Sequence, residues 1–136
     1  IPMYQSDTEV MMKTAEMMSI PYRILSKTYE PEELIGIMGR MELVIAMRLH
    51  TLIYSSITAT PMLGLIYDPK IKGYLDYIEQ RAAGNVENIS SDTIIKEARQ
   101  IMENYQENKR RLEKIMMTMK DKARENVALA CELMKS

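Results

Sequence analysis

The sequence predicts an α/β chain, a Rossmann-like parallel sheet flanked by helices and followed by a long helical tail. Three observations carry this. Two near-continuous apolar runs of strand length, at 42–47 and 61–66, are separated by a helix-length segment. Runs of that kind fit strands buried on both faces, as in a parallel sheet. From Ser91 onward no Gly or Pro interrupts the chain, and apolar residues recur at helical spacing.

The elements follow in order. Ser6-Asp7-Thr8-Glu9 reads as a capping box, with Ser6 as N-cap and Glu9 reaching back, and the helix it opens extends to about Ser19 before Pro21 stops it. Residues 22–26 are a short strand candidate. Pro31 suits the first turn of a second helix, and Gly39 suits its end. After the run at 42–47 comes a helix over about 49–58, then the Pro-led strand 61–66. Asp68 and Pro69 are an N-cap and first helical residue, and that helix runs to about Gln80. Gly84-Asn85 reads as a turn, and 86–89 as a short last strand. Strands and helices alternating at this spacing imply βαβ units with helices on both faces of the sheet. The few strands visible, and an opening residue other than Met, suggest a piece of a longer chain.

In the tail, Ile94, Ala98, Ile101, Tyr105, Asn108, Leu112, Ile115 and Met119 form a seam broken only by the polar Asn108. The seam then shifts to Ala123, Val127, Ala130 and Met134, which reads as a stutter or as a bend between two helices. Two partners suit it: the chain's own domain, or another helix in a coiled coil.

Composition narrows the function. The 136 residues carry 18 Lys plus Arg against 19 Asp plus Glu, a net charge of −1. That balance argues against non-specific nucleic-acid binding, which needs excess positive charge. A single cysteine, Cys131, excludes an internal disulfide framework. A single histidine, His50, excludes multi-histidine metal sites, so neither a metal nor a cofactor is expected. The most apolar stretch, 41–67, is interrupted by Arg48, His50 and Pro61, and a membrane span needs about 20 largely apolar residues.

In a parallel sheet, ligands bind beyond the carboxyl ends of the strands. Two such ends can be placed, at Met47-Arg48-Leu49-His50 and at Tyr67-Asp68-Pro69-Lys70. The charges there run against the helix dipole. A helix N-terminus favours nearby anions, yet Arg48 and His50 open one helix, and Lys70 and Lys72 follow Asp68 in the other. Cations converging on two helix starts point to an anion held among them. Any one of these cations alone is an ordinary surface residue, so the case rests on their convergence.

The stretch 43–70 resembles the polysaccharide pyruvyl transferase family, most closely its CsaB-type cell-wall branch. Arg48-Leu49-His50 at a strand end, an apolar helix, and a Pro-led strand ending in Tyr67-Asp68-Pro69-Lys70 carry the resemblance. The Ile1-Pro2-Met3 opening and Asp7 are similar to the family's preceding segment. The resemblance covers about residues 1–80 and is loose in the tail.

The resemblance implies a GT-B-like fold, of which this chain would be part of the C-terminal, donor-binding domain, with 1–90 its α/β core and 91–136 a helical tail. It implies transfer of the enolpyruvyl unit of phosphoenolpyruvate to a sugar of a cell-wall polysaccharide or its lipid-linked precursor, forming a pyruvate ketal. The pyruvylated glycan would anchor surface-layer proteins. Such an enzyme works in the cytoplasm, at or near the inner face of the membrane. Arg48, Leu49, His50 and Lys70 would bind phosphoenolpyruvate, Leu49 through its backbone N–H. His50 would be the catalytic acid, because imidazole is the side chain suited to proton exchange near neutral pH, or would only hydrogen-bond the donor's phosphate. The partners would include the protein's own N-terminal domain, without which the fragment would be inactive, and a second copy through the tail. Two other readings stay open: a nucleotide-sugar glycosyltransferase domain of the same fold, and a non-catalytic helical interaction module. No acid is placed near Arg48 to hold a ribose, which weighs against the first of these.

Overall fold

The computed structural model describes residues 5–25 and 27–134. The chain divides into two compact units, Ile1–Glu33 and Leu34–Ser136. The first holds α1 (Gln5–Glu16). The Ser6 capping box and the opening Ile1-Pro2-Met3 lie outside the described side chains. The strand expected at 22–26 does not form: residues 22–25 are irregular, and Ser26 lies outside the described residues. A short segment such as Tyr-Arg-Ile-Leu-Ser forms a strand only where a sheet edge receives it.

α2 (Pro31–Met38) follows, and the Gly39 N–H closes it by donating to the Ile35 carbonyl at 3.0 Å. The second unit is then a run of βα units: β1 (Val44–Ala46), α3 (Leu49–Ile57), β2 (Met62–Ile66), α4 (Pro69–Tyr77), β3 (Arg81–Asn85) and α5 (Ser91–Glu103). The strands form one parallel sheet in the order β1-β2-β3.

Side-chain alternation along β2 explains why the sheet is covered on both faces. On one face Gly64 lies against Leu75 of α4, with α3 beside α4. On the other, Leu63 joins Ala83 and Ile101 in a cluster with Leu65, Ile94 and Ala98, so α5 packs there. The expected two-sided α/β arrangement is thus observed.

The last strand differs from expectation. It is Arg81–Asn85 rather than 86–89, and Gly84-Asn85 lies within it. Arg-Ala-Ala-Gly-Asn has little intrinsic strand preference, so pairing with the buried β2 decides the matter. Gly84 adopts φ +130, a conformation other residues rarely take, where the β2–β3 register shifts.

The sequence places the ends of α2 and α3 to within a residue but runs α4 too far. α3 and α4 close alike: the Thr60 N–H reaches the Ser55 carbonyl at 2.9 Å, and the Gln80 N–H reaches Leu75 at 2.8 Å. Both ends place a residue in the left-handed region, Ala59 and Glu79, each at φ 52. This is the helix-ending motif that normally uses glycine. Lacking the glycine, α4 reads from sequence as running to about Gln80, whereas it ends at Tyr77. Glu79→Gly should therefore raise stability, by about 0.5–1 kcal/mol, through relief of the left-handed strain. Urea unfolding midpoints at constant slope measure this.

The tail is two helices, α5 and α6 (Tyr105–Leu133), but the break falls at Asn104 and not at the shift in the seam, where a bend was one of the two readings. α6 passes through 119–123 without interruption, so the shift in the seam there is a change of surroundings and not a bend. Asn108, the polar break in the seam, donates from Nδ2 to the Ile101 carbonyl at 3.1 Å and so satisfies an end of α5. Leu112 is fully buried, and Ile115, Met116 and Met119 are half-buried, so this part of the seam packs on its own unit, against α3 and α5. Ala123, Val127, Ala130 and Met134 are exposed. No helix among the described residues is long and apolar enough to cross a membrane.

Candidate functional site

The carboxyl ends of β1 and β2 lie side by side, because Ala46 pairs with Gly64 and the strands are parallel. The two motifs therefore occupy one edge of the sheet. Their residues take equivalent places in successive βα units. Arg48 and Asp68 are the N-caps of α3 and α4; Leu49 and Pro69 are the first helical residues, and His50 and Lys70 the second. Both helix starts fall where the sequence predicts them.

The two starts differ in how their amides are used. At α4, Pro69 has no N–H. The Lys70 N–H donates to Asp68 Oδ1 at 2.8 Å, and the Ile71 N–H donates to the Asp68 carbonyl at 3.0 Å. The first turn of α4 is thus fully committed to Asp68. At α3, Arg48 makes no side-chain cap, and the first turn holds no acid. Of the two, α3 is the end with no acid in its own cap or first turn.

The side chains are placed as follows. Arg48 is half-buried at the strand-to-helix junction. His50 is exposed, its ring 6.4 Å from that of Tyr54 on the next turn and tilted by 52°. Lys70 Nζ lies 3.5 Å from Asp68 Oδ2 and 6.0 Å from the centre of the Tyr67 ring. Lys72 is engaged elsewhere, with Asp76 at 2.5 Å. The edge thus gathers Arg48, His50 and Lys70 on adjacent strand ends, each with its own neighbour. It faces solvent in this unit. A recess of about 760 Å³, lined in part by Ile57, Ala59, Met116, Met119 and Ala123, lies at the other end of the sheet, where α3 closes.

The two helices that carry the site are pinned together by a contact that sequence reasoning missed. Ser56 Oγ and Tyr74 Oη are 2.6 Å apart, and Ser56 Oγ also donates to the Ile53 carbonyl at 2.7 Å. Tyr74 lies one turn beyond Lys70, so the face of α4 that carries Lys70 is the face turned toward α3. A serine within an apolar helix and a tyrosine eighteen residues on give no signal of their own in sequence. Burial pushes the Tyr74 phenol above its ordinary value of 10.0, with the Ser56 hydrogen bond pulling weakly the other way. Above pH 10 the unfolded chain releases this proton while the folded one keeps it, so stability should fall as pH rises past 10. Tyr74→Phe should flatten that part of the profile, which thermal melts from pH 8.5 to 11 on both proteins would show.

Among the described residues no cluster of His, Cys, Asp or Glu could hold a metal ion. The chemistry open to this edge is anion binding by Arg48, Lys70 and the α3 amides, with one imidazole beside them for proton transfer.

The family model for polysaccharide pyruvyl transferases matches residues 3–69. That stretch, just under half of the chain, is similar to the polysaccharide pyruvyl transferase family. The match takes in α1 to β2, Arg48-Leu49-His50 and the Asp68 cap, and stops one residue short of Lys70. No curated protein and no solved structure matches the chain. The similarity is to transferases named for pyruvyl transfer to polysaccharides. The matched segment delivers both helix starts to one sheet edge.

Proposed function

We propose that this edge binds phosphoenolpyruvate, and that the intact protein transfers its enolpyruvyl unit to two hydroxyls of a cell-wall sugar. The observation that carries the reading is the juxtaposition of Arg48, His50 and Lys70 on adjacent parallel strand ends within a pyruvyl transferase sequence. Phosphoenolpyruvate holds a carboxylate and a phosphate close together. Arg48 offers a planar fork to one of them, Lys70 a compact charge to the phosphate, and the Leu49 N–H a further donor. His50 delivers a proton to the methylene carbon, which becomes the methyl group. The cation left at the neighbouring carbon takes one sugar oxygen. A second hydroxyl of the same sugar then displaces phosphate from that carbon. Two C–O bonds form and one C–O bond to phosphate breaks. Of the two hydroxyl protons, one restores His50 and one leaves with the phosphate.

The site is open because, on this reading, the chain is the donor-binding half of a GT-B-like enzyme whose other domain brings the acceptor. The chain is then the donor domain throughout, with 91–136 its helical tail, and the exposed Val127, Ala130 and Met134 are where the tail meets that domain or a second copy. A CsaB-type acceptor, a ManNAc-containing secondary polymer that anchors surface-layer proteins, fits this arrangement.

The test is to incubate the intact protein with phosphoenolpyruvate and such an acceptor, following phosphate release and the acceptor's mass. Release of one phosphate per ketal formed supports the reading. Binding of a uridine diphosphate sugar with no response to phosphoenolpyruvate would favour a glycosyltransferase instead.

A further inference from the structure

Asp68 presents a puzzle at an anion site. Its Oδ1 caps α4 through the Lys70 N–H at 2.8 Å, and its Oδ2 lies 3.5 Å from the Lys70 ammonium. One carboxylate therefore holds both the backbone and the side-chain tip of the residue that would meet the donor's phosphate. On its other side the ammonium lies over the Tyr67 ring, 6.0 Å from its centre. A negative group beside a phosphate site opposes binding of that phosphate.

We infer that Asp68 is the resident counter-ion of Lys70, which phosphate must displace, and that it sets how firmly the site holds phosphate. This rests on the donor-site reading above and deepens it. With the site empty, the ammonium is kept at the edge by Asp68 Oδ2 and the Tyr67 ring. When a phosphate arrives, Lys70 exchanges the carboxylate for a phosphate oxygen. When the reaction has left inorganic phosphate behind, Asp68 reclaims the ammonium and favours release. Only the ion pair is exchanged. The cap from Oδ1 stays, so α4 keeps its first turn throughout. The pair is partly exposed, at 55% and 36%, so the exchange is cheap enough to reverse in each cycle.

Asp68→Asn separates the two jobs. An asparagine oxygen still caps the helix, since Asn and Asp cap about equally well, while the charge is gone. The experiment titrates inorganic phosphate and phosphoenolpyruvate into the intact protein by calorimetry, in wild type, Asp68→Asn, Lys70→Ala and the double variant. The expected result is phosphate binding about two- to fivefold tighter in Asp68→Asn, the range set by an exposed ion pair. In the Lys70→Ala background that gain should shrink, because no ammonium remains to be freed. Thermal melts should show Asp68→Asn unchanged, so the cap is intact. Weaker phosphate binding in Asp68→Asn would overturn the inference. So would an equal gain in both backgrounds, which would mean simple repulsion. If Lys70→Ala binds phosphoenolpyruvate as wild type does, or wild type binds neither anion, the donor-site reading itself falls and takes this inference with it. If Lys70→Ala weakens the donor while Asp68→Asn changes nothing, only the role of Asp68 falls.

Discussion

His50→Gln in the intact enzyme should lower kcat by about 10²–10⁴-fold at saturating donor and acceptor, the range that a positioned general acid supplies. His50 is the second residue of α3, one turn before Tyr54, at a helix start whose own cap and first turn hold no acid. A donor anion drawn to that end by Arg48 and the α3 amides lies within reach of the imidazole. Glutamine keeps a donor of similar reach but cannot give up a proton to carbon. The donor Kd should therefore change much less than kcat. A variant that loses donor affinity and keeps kcat at saturation would make His50 a binding residue, and the acid would have to come from elsewhere in the protein.

Gly64→Ala should destabilise the chain by about 1–3 kcal/mol, the usual cost of overpacking a core. A Cβ at position 64 would fall 2.2 Å from Leu75 Cδ1 and 3.1 Å from its Cγ. Leu75 is fully buried, so its branch has nowhere to swing without disturbing the α4–sheet contact. Leu75→Ala alone should cost about 2–5 kcal/mol through the cavity it leaves. The double variant should cost less than the two together, because the new methyl fills part of that cavity. Chemical denaturation of all four proteins measures the coupling. Strict additivity would mean that Gly64 and Leu75 do not compete for the same space. The contact also bears on the site, since it holds against the sheet the helix that carries Lys70.

The sequence was most legible where burial and capping act locally. The run that became β2 is apolar because both faces of the sheet are covered there, whereas in the edge strand β1 only Val44 is buried and Ile45 is exposed, so burial on both faces does not extend to that run. Asp68-Pro69 announced α4 because cap chemistry is a property of neighbouring residues. The seam from Ile94 to Met119 was visible because one helical face meets the core, and even its flaw at Asn108 has a local use. What stayed hidden depends on distant partners. β3 is a strand because β2 pairs with it, and its five residues carry no such preference alone. The ends of α3 and α4 rest on Ala59 and Glu79 in a conformation that sequence reserves for glycine. For the candidate site, the residue types and their common edge could be read from spacing. The Asp68–Lys70 pair, the Tyr54 ring beside His50 and the Ser56–Tyr74 link could not, since each depends on where side chains meet in space.

The central claim is that Arg48 and Lys70 together hold the donor's charged groups. It is tested most directly by titrating phosphoenolpyruvate into the intact protein and its Lys70→Ala and Arg48→Lys variants by calorimetry. Losing a hydrogen bond to a charged group costs roughly 1.5–3 kcal/mol, and about 1.4 kcal/mol is tenfold in affinity. Lys70→Ala should weaken binding by about one to two orders of magnitude, and Arg48→Lys should weaken it too, because a point charge does not replace the guanidinium fork. Donor affinity equal to wild type in both variants would contradict the account and move the donor site away from this edge.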